Sequence, residues 1–194
     1  MVFLFLLASF HLLGREISTN ISYKTFEDAE VALGDGVNYL RFVIESTKLG
    51  FLTSEVEGFV LKHAISGELD DKNQRLSKMK INFKVKQMNT DNDSRDEKMH
   101  GHCLDSSKYS DINVEILSDY KIGSGQKSLP ATIEIRGKKK NINVLLKVSK
   151  QANQFLVEGK SLMKFSSLEI PSPSISIASV SDNINVDFKL LVNP

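Results

Sequence analysis

Alternating apolar and polar residues dominate this chain from about residue 37 onward. In the clearest run, Lys78 to Lys86, four apolar side chains (Met79, Ile81, Phe83 and Val85) alternate with polar ones. A period of two places successive side chains on opposite faces of a β-strand. Similar runs follow at 40–44, 112–116, 131–135, 142–148, 155–159 and 184–190. Because each run has only one apolar face, the pattern predicts antiparallel strands covered by the core on one side.

About eight strands of this kind either pair as two sheets or close into a barrel, and closure also removes exposed strand edges. The residues 123–126 and 136–141 contain glycine and have the composition of turns. Helices are expected only over 23–32 and 94–104, with Asp93 or Ser94 capping the second. The pattern therefore predicts an all-β, antiparallel fold with one or two short helices.

Composition and charge narrow the classes of partner. The 25 basic and 24 acidic residues nearly cancel, so no nucleic-acid partner is expected. A hydrophobic fraction of 41% is enough for a core. Cys103 is the sole cysteine, which excludes an internal disulfide framework and a cysteine-rich zinc site. No cofactor is expected.

The first fourteen residues, MVFLFLLASFHLLG, form an apolar run. Its length is short for a membrane span and typical of the hydrophobic part of a signal peptide. An N-terminal strand or an interfacial anchor is the alternative. We divide the chain into a signal peptide or apolar N-terminal segment (1–16), a lead-in (17–36) and a barrel domain (37–194), and we expect a periplasmic or secreted protein.

The polar insert from Asn89 to Tyr109 carries a family resemblance. Its first part, DNDSRDEKM, is similar to "T-G-N-x-x-R-D-x-H-L", with Thr90 in the threonine position, and LDSSKYSDI is similar to "f-l-d-x-x-k-y-P-x-i". Together with VEGF at 56–59 and IRG at 135–137, these motifs resemble the YceI-like family of secreted lipid-binding proteins over roughly 38–192. The chain departs from the pattern where Asp91 replaces Gly, Lys98-Met99 replaces His-Leu, and Ser110 replaces Pro.

This resemblance implies a lipocalin-like antiparallel barrel of about eight strands. Its interior would hold a polyisoprenoid or other long-chain amphiphile, for storage or transport. No enzymatic activity is expected, because no nucleophile has a convincing base nearby in the sequence. The expected apolar lining consists of Phe42, Ile44, Met79, Ile81, Phe83, Ile133, Ile135, Val144, Leu146, Phe155, Val157, Val186 and Phe188. The same alternation is also compatible with an interior filled by side chains.

Arg95 and Asp96 form a charged pair within the insert. In one interpretation they form a polar mouth, where Arg95 donates to a ligand head group and Asp96 orients it. In the other, which we favour, both residues tie the insert to neighbouring strands through charge-assisted hydrogen bonds.

His100, His102 and Cys103 form the remaining candidate site, with His63 as a fourth metal ligand. The corresponding alternative function is an extracytoplasmic stress or metal- and redox-responsive protein. A surface loop with incidental His and Cys is the simpler interpretation. The lysine run 138–140 predicts at most transient contact with anionic membranes. The sequence leaves the oligomeric state open, a homodimer included.

Overall fold

The structure, a computed structural model, describes residues 14–174 and 178–193. Most of the segment predicted as a signal peptide, residues 1–13, therefore lies outside the described part. Within that part, no helix combines the length and the apolar character needed to cross a membrane.

One antiparallel sheet contains all thirteen strands of the described residues. Their bounds are β1 Arg15–Ser22, β2 Tyr39–Lys48, β3 Leu52–Val60, β4 Lys62–Asp70, β5 Arg75–Lys84, β6 Met88–Asn89, β7 Asp111–Ile116, β8 Tyr120–Lys121, β9 Lys127–Ile135, β10 Lys138–Gln151, β11 Gln154–Lys164, β12 Ala178–Val180 and β13 Asn183–Val192.

The sheet closes on itself through one bent segment of chain. The strand order runs β4-β5-β7-β9-β10-β11-β13-β2-β3, and β3 continues into β4 across the single residue Leu61. At this bend the Leu61 N–H donates to the Gln87 carbonyl, and the Leu61 carbonyl accepts from the Tyr23 N–H, each at 2.8 Å. The bend is therefore held from both sides, and its two halves pair with opposite ends of the sheet.

The predicted fold class is confirmed, whereas the predicted strand count is wrong. Four strands lie outside the ring: β1 adds to β4, β6 to β3, β8 to β5 and β12 to β2. When β3 and β4 are taken as one bent strand, the ring itself has eight. The alternation of apolar residues predicts these eight strands well, because they enclose the core. It predicts the four additional strands poorly.

In the part of the chain that the structure describes, three short α-helices accompany the sheet: α1 Phe26–Asp35, α2 Asp93–Lys98 and α3 Phe165–Leu168. Helix α1 packs on the outer face of the sheet, where the Phe26 and Phe59 rings meet edge to face at 5.0 Å. Helix α2 continues into one π-helical turn, Met99–Cys103. Asn92 caps α2, rather than the predicted Asp93 or Ser94, because its side chain accepts from the Arg95 N–H at 3.0 Å.

The barrel interior is divided along its length. The lower half is a continuous cluster of twenty buried apolar residues, in which Leu69, Leu76, Tyr120, Leu146 and Leu190 are at most 1% exposed. A second cluster of eleven, including Phe42, Ile133 and Phe165, lines the upper half. The insert and helix α3 lie at this upper end, since Leu104 and Leu168 belong to the second cluster.

Candidate functional site

A cavity of ≈ 560 Å³ occupies the upper half of the barrel. Its floor consists of residues that also belong to the packed lower half: Leu40, Val60, Ile81, Val144 and Phe188. Its walls belong to the second cluster, with Phe42, Leu104, Ile112, Ile133, Ile135, Phe165, Leu168 and Ile184. The volume lies within the range of about 300–1,000 Å³ found for small-molecule pockets.

Nine of the thirteen predicted lining residues face this cavity: Phe42, Ile44, Ile81, Phe83, Ile133, Ile135, Val144, Val186 and Phe188. The other four, Met79, Leu146, Phe155 and Val157, lie in the packed lower half. They point into the barrel as their alternation indicates, but there they meet Tyr120, Leu69 and Leu190 instead of empty space. Whether an inward side chain lines a cavity thus depends on residues contributed by distant strands.

Two phenylalanine rings are laid flat against the barrel wall by glycines on neighbouring strands. Phe42 pairs with Gly58, and Phe188 pairs with Gly159. A Cβ on Gly58 would lie 2.2 Å from Phe42 Cζ, and one on Gly159 would lie 2.1 Å from Phe188 Cζ. Only glycine permits these close approaches. Both rings line the cavity, so the glycines help to keep it open.

Polar lining residues are concentrated around the opening, on the β2–β3 hairpin and on α2 with the loop before it. The hairpin contributes Ser46, Lys48, Ser54 and Glu55, and the insert contributes Asn92, Ser94, Arg95 and Lys98. We call these eight residues the rim. Lys98 Nζ donates to the Pro173 carbonyl at 2.7 Å. The Val180 N–H donates to Ser174 Oγ at 2.9 Å, and Val180 pairs with Ser46 on β2. These contacts connect α2 to the hairpin.

Thr90 is the residue on which the charged pair of the insert converges. Both oxygens of the Asp96 carboxylate accept from the Thr90 N–H, at 3.0 and 3.2 Å, and Asp96 Oδ1 also accepts from Thr90 Oγ1 at 2.6 Å. Arg95 donates from Nε to Thr90 Oγ1 at 2.7 Å and from Nη2 to the Thr90 carbonyl at 2.6 Å. Thr90 and Asp96 are buried, and only Arg95 of the pair lines the cavity. These hydrogen bonds, which we call the clamp, hold a turn within the insert and do not reach a neighbouring strand. Of the charged pair, only Arg95 lies at the rim.

A family model for the YceI-like domain matches residues 35–192. The chain belongs to the YceI-like family. No curated protein sequence matches it significantly.

Several solved structures share the fold at low sequence identity. Burkholderia cenocepacia BcnA has a TM-score of 0.64 at 15% identity, covering 80% of this chain and 96% of that one. A Campylobacter jejuni YCEI protein has a TM-score of 0.59 at 20% identity, covering 73% and 86%. A polyisoprenoid binding domain from Saccharophagus degradans, implicated in plant cell wall breakdown, has a TM-score of 0.56 at 18% identity, covering 80% and 94%.

One departure from the YceI-like motif has a local explanation. Asp91, which stands where glycine is usual, has a φ of 57°, in the left-handed region. Aspartate tolerates this conformation better than most residues. Its backbone N–H also donates to Asn89 Oδ1 at 2.9 Å. The turn that begins the clamp therefore survives the replacement.

The residues predicted as metal or redox ligands have different surroundings in this YceI-like barrel. Within residues 14–174 and 178–193, no three His, Cys, Asp or Glu side chains are grouped so that they could hold a metal ion. His100 Nε2 contacts the Met88 carbonyl at 2.8 Å, and His102 is exposed. Cys103 lines the cavity and is 3% exposed, and burial raises the pKa of its thiol.

His63, the proposed fourth metal ligand, is buried next to the bend between β3 and β4. Its Nδ1 contacts the Val60 carbonyl at 2.9 Å, and its Nε2 has no partner among the described residues. Burial lowers the pKa of His63 to about 4, although the contact with Val60 opposes the shift. The imidazole is therefore neutral at pH 7.

The lysine run at the β9–β10 hairpin is engaged by carboxylates. Lys138 and Lys140 both pair with Glu169, and Lys139 Nζ lies 3.6 Å from Glu115. Hydrogen bonds from Lys138 and then Lys140 lower the pKa of Glu169 to about 2. These pairs reduce the positive charge that the hairpin presents to an anionic surface.

Sequence reasoning did not find the roles of Lys48 and Lys98 at the rim. A signal for each is present in the sequence. Lys48 continues the inward positions Phe42, Ile44 and Ser46 of β2, and Lys98 replaces the histidine of the YceI-like motif. Counting every second residue to the end of β2 would have indicated the first.

Proposed function

We propose that this chain is an exported binding protein that holds a polyisoprenoid or other long-chain amphiphile inside its barrel, for storage or transport. The single observation that carries the proposal is the ≈ 560 Å³ cavity with apolar walls and a polar rim at one end. An amphiphile has the complementary distribution, with an apolar chain for the walls and a polar head for the rim. The apolar segment 1–14 supports a periplasmic or secreted location.

The expected affinity follows from the size of the ligand. A chain of ~20 to 40 carbons at about 0.3 kcal/mol per heavy atom gains roughly 6 to 12 kcal/mol, which corresponds to dissociation constants from tens of micromolar down to nanomolar. The cavity volume favours the shorter ligands in this range. Binding of this kind needs no catalytic group, which supports a binding protein over an enzyme.

Arg95 is the residue best placed to contact the polar head. A guanidinium has five N–H donors. Two of them are used for Thr90, which fixes the side chain at the rim, and the remaining donors are available for a ligand oxygen. The clamp thus positions Arg95 as well as holding the insert.

Two neighbouring residues on β11 allow a matched test. Met163 lines the cavity, whereas Leu162 points outward and is 63% exposed. A charge at Met163 would have to be desolvated by a bound chain, and a charge at Leu162 would stay in water. We therefore expect Met163→Glu to weaken binding of a fluorescent polyene fatty acid by at least about tenfold, with Leu162→Glu close to wild type. A polyprenol competitor should displace the probe.

Extraction of the purified protein with organic solvent, followed by mass spectrometry, gives an independent measurement. A co-purifying long-chain lipid is expected in the wild type. Equal probe binding by Met163→Glu, Leu162→Glu and wild type, or no binding by any of them, would contradict the proposal.

A further inference from the structure

The turn between β2 and β3 exposes three large apolar side chains. Leu49, Phe51 and Leu52 are 66%, 73% and 54% exposed. They are three of the seven large exposed hydrophobic residues in the described part of the chain, and they lie within four consecutive positions. We call them the apolar tip. Single exposed apolar residues are ordinary on protein surfaces, whereas such clusters mark contact sites.

The backbone of this turn gives no local reason for an apolar residue. Leu49 and Gly50 have φ values of 51° and 77°, and the Phe51 N–H donates to the Lys48 carbonyl at 3.2 Å. A turn with positive φ at both central positions prefers Asn, Asp or Gly at the first of them. Leucine is disfavoured in this conformation. Its presence therefore points to a role for the side chain outside the fold.

The apolar tip adjoins the opening of the cavity. Lys48, a rim residue, pairs with Leu52 across the hairpin and with Ala178 on its other side, and Ala178 also lines the cavity. Arg95 and Lys98 add two further cationic side chains to the same rim. Glu55 is the acidic residue of this rim, so three cationic side chains and one carboxylate adjoin the exposed apolar tip at one opening.

We propose that the apolar tip inserts into the surface of a lipid bilayer and brings the cavity opening against it, so that the ligand enters and leaves without crossing water. This inference rests on the proposed function. Apolar side chains that enter the acyl boundary, beside cations at the level of the head groups, are the usual form of interfacial attachment.

The size of the tip favours a bilayer over a protein partner. Stable protein interfaces bury more than about 1,000 Å². Three side chains on one turn are too few for such an area, but shallow insertion of a few apolar groups gives the weak, reversible attachment that a carrier needs. Transfer along this route would also avoid exposing the apolar chain to water.

The absence of tryptophan from the sequence provides a clean probe. Phe51→Trp places a single tryptophan on the apolar tip of the full chain. Leu117→Trp, at a residue 53% exposed beyond the end of β7, is the matched control. Because both variants retain the apolar segment 1–14, any difference between them reports the hairpin. With vesicles of phosphatidylcholine and phosphatidylglycerol, we expect a blue shift of the emission for Phe51→Trp and no shift for Leu117→Trp.

A second pair of variants tests transfer. Leu49→Ser combined with Phe51→Ser should slow delivery of the polyene fatty acid from the protein to vesicles by about tenfold or more, because two apolar side chains that enter the bilayer are lost from the contact. Val31→Ser combined with Leu117→Ser removes two other exposed apolar side chains, which are 64% and 53% exposed, and should transfer at the wild-type rate.

Three outcomes would overturn the inference. The first is a Phe51→Trp emission that vesicles leave unchanged, and the second is an equal shift in both tryptophan variants. The third is a blue shift that needs no vesicles and grows with protein concentration, which would assign the tip to contact with a second copy of the chain. Failure of the proposed function is distinguishable, because it would appear as loss of probe binding in solution, where the tip has no part.

Discussion

Gly58→Ala is the change that most directly tests how the cavity is kept open. Gly58 faces Phe42 across the β2–β3 pair, and an added Cβ would lie 2.2, 2.6 and 2.7 Å from three atoms of the ring. Ordinary contact begins at 3.4 Å, so the ring would have to move by about 1.2 Å. The sheet lies behind the ring, and the cavity is the space in front of it.

The expected cost follows from the tight surroundings of the ring. Phe42 is only 5% exposed, and forced displacement of a packed side chain typically costs about 1–3 kcal/mol. For a chain of this length, that corresponds to a fall in melting temperature of about 2–12 °C. Ligand affinity should fall as well, because the displaced ring occupies part of the cavity.

Thermal unfolding and titration with the polyene fatty acid measure the two effects. Gly34→Ala is the control, since nothing lies within 4 Å of its added Cβ in helix α1, and it should be neutral or stabilise by about 0.5–1 kcal/mol. Combining Gly58→Ala with Phe42→Leu should cost less than the sum of the two single changes. A Gly58→Ala protein that melts and binds like wild type, with additive effects in the double variant, would refute this account of the cavity.

Three further experiments test the clamp and two buried titratable groups, His63 and Cys103. Thr90→Val should lower the free energy of unfolding by about 1–3 kcal/mol, because Asp96 and Arg95 each lose a buried partner. Thr90→Ser, which keeps the hydroxyl, should stay near wild type. Equal unfolding free energies of the Val and Ser variants in urea would disprove the role of the hydroxyl. The folded pKa of His63 lies below its ordinary 6.5, at about 4, so the unfolded chain takes up the proton first and stability falls as pH drops from about 6.5 to about 4, by up to about 3 kcal/mol; His63→Gln should flatten unfolding free energy over that interval, and an unchanged slope would contradict it. The thiol of Cys103 is buried and its pKa is raised by burial, so a charged aromatic disulfide reagent should modify the native protein much more slowly than the unfolded chain; equal rates would show that this wall is open to solvent.

The ring strands could be predicted wherever their inward positions are strongly apolar. In β5 the inward side chains Met79, Ile81 and Phe83 alternate with lysine and asparagine, and the strand is evident. In β4 the inward positions include His63 and Gly67, so the same alternation carries too little apolar character to be recognised. Both strands have a period of two, but the difference in hydrophobicity between the two faces is large in β5 and small in β4.

The boundary between packed core and cavity could not be predicted, because it depends on pairings between distant parts of the chain. Phe155 and Phe188 belong to adjacent strands and both point inward, yet only Phe188 reaches the cavity. Tyr120, 35 positions before Phe155, belongs to the cluster that fills the space below. The sequence predicted charge-assisted hydrogen bonds from Arg95 and Asp96 to neighbouring strands, but the partner that both charges share, Thr90, lies within the insert and was not predicted.

The uneven filling of the barrel also explains how a hollow fold is stable. An empty cavity forgoes the contacts that its lining atoms would otherwise make. In the described residues the lower cluster has twenty buried members against eleven above, and Leu69, Leu76 and Leu190 are among its most completely buried. Bent strand β3–β4 joins the two halves, because β3 contributes Val60 to the cavity floor and β4 contributes Leu69 to the packed half. The packed half therefore supplies the larger share of the burial that stabilises the fold, and the upper half of the same strands encloses the cavity.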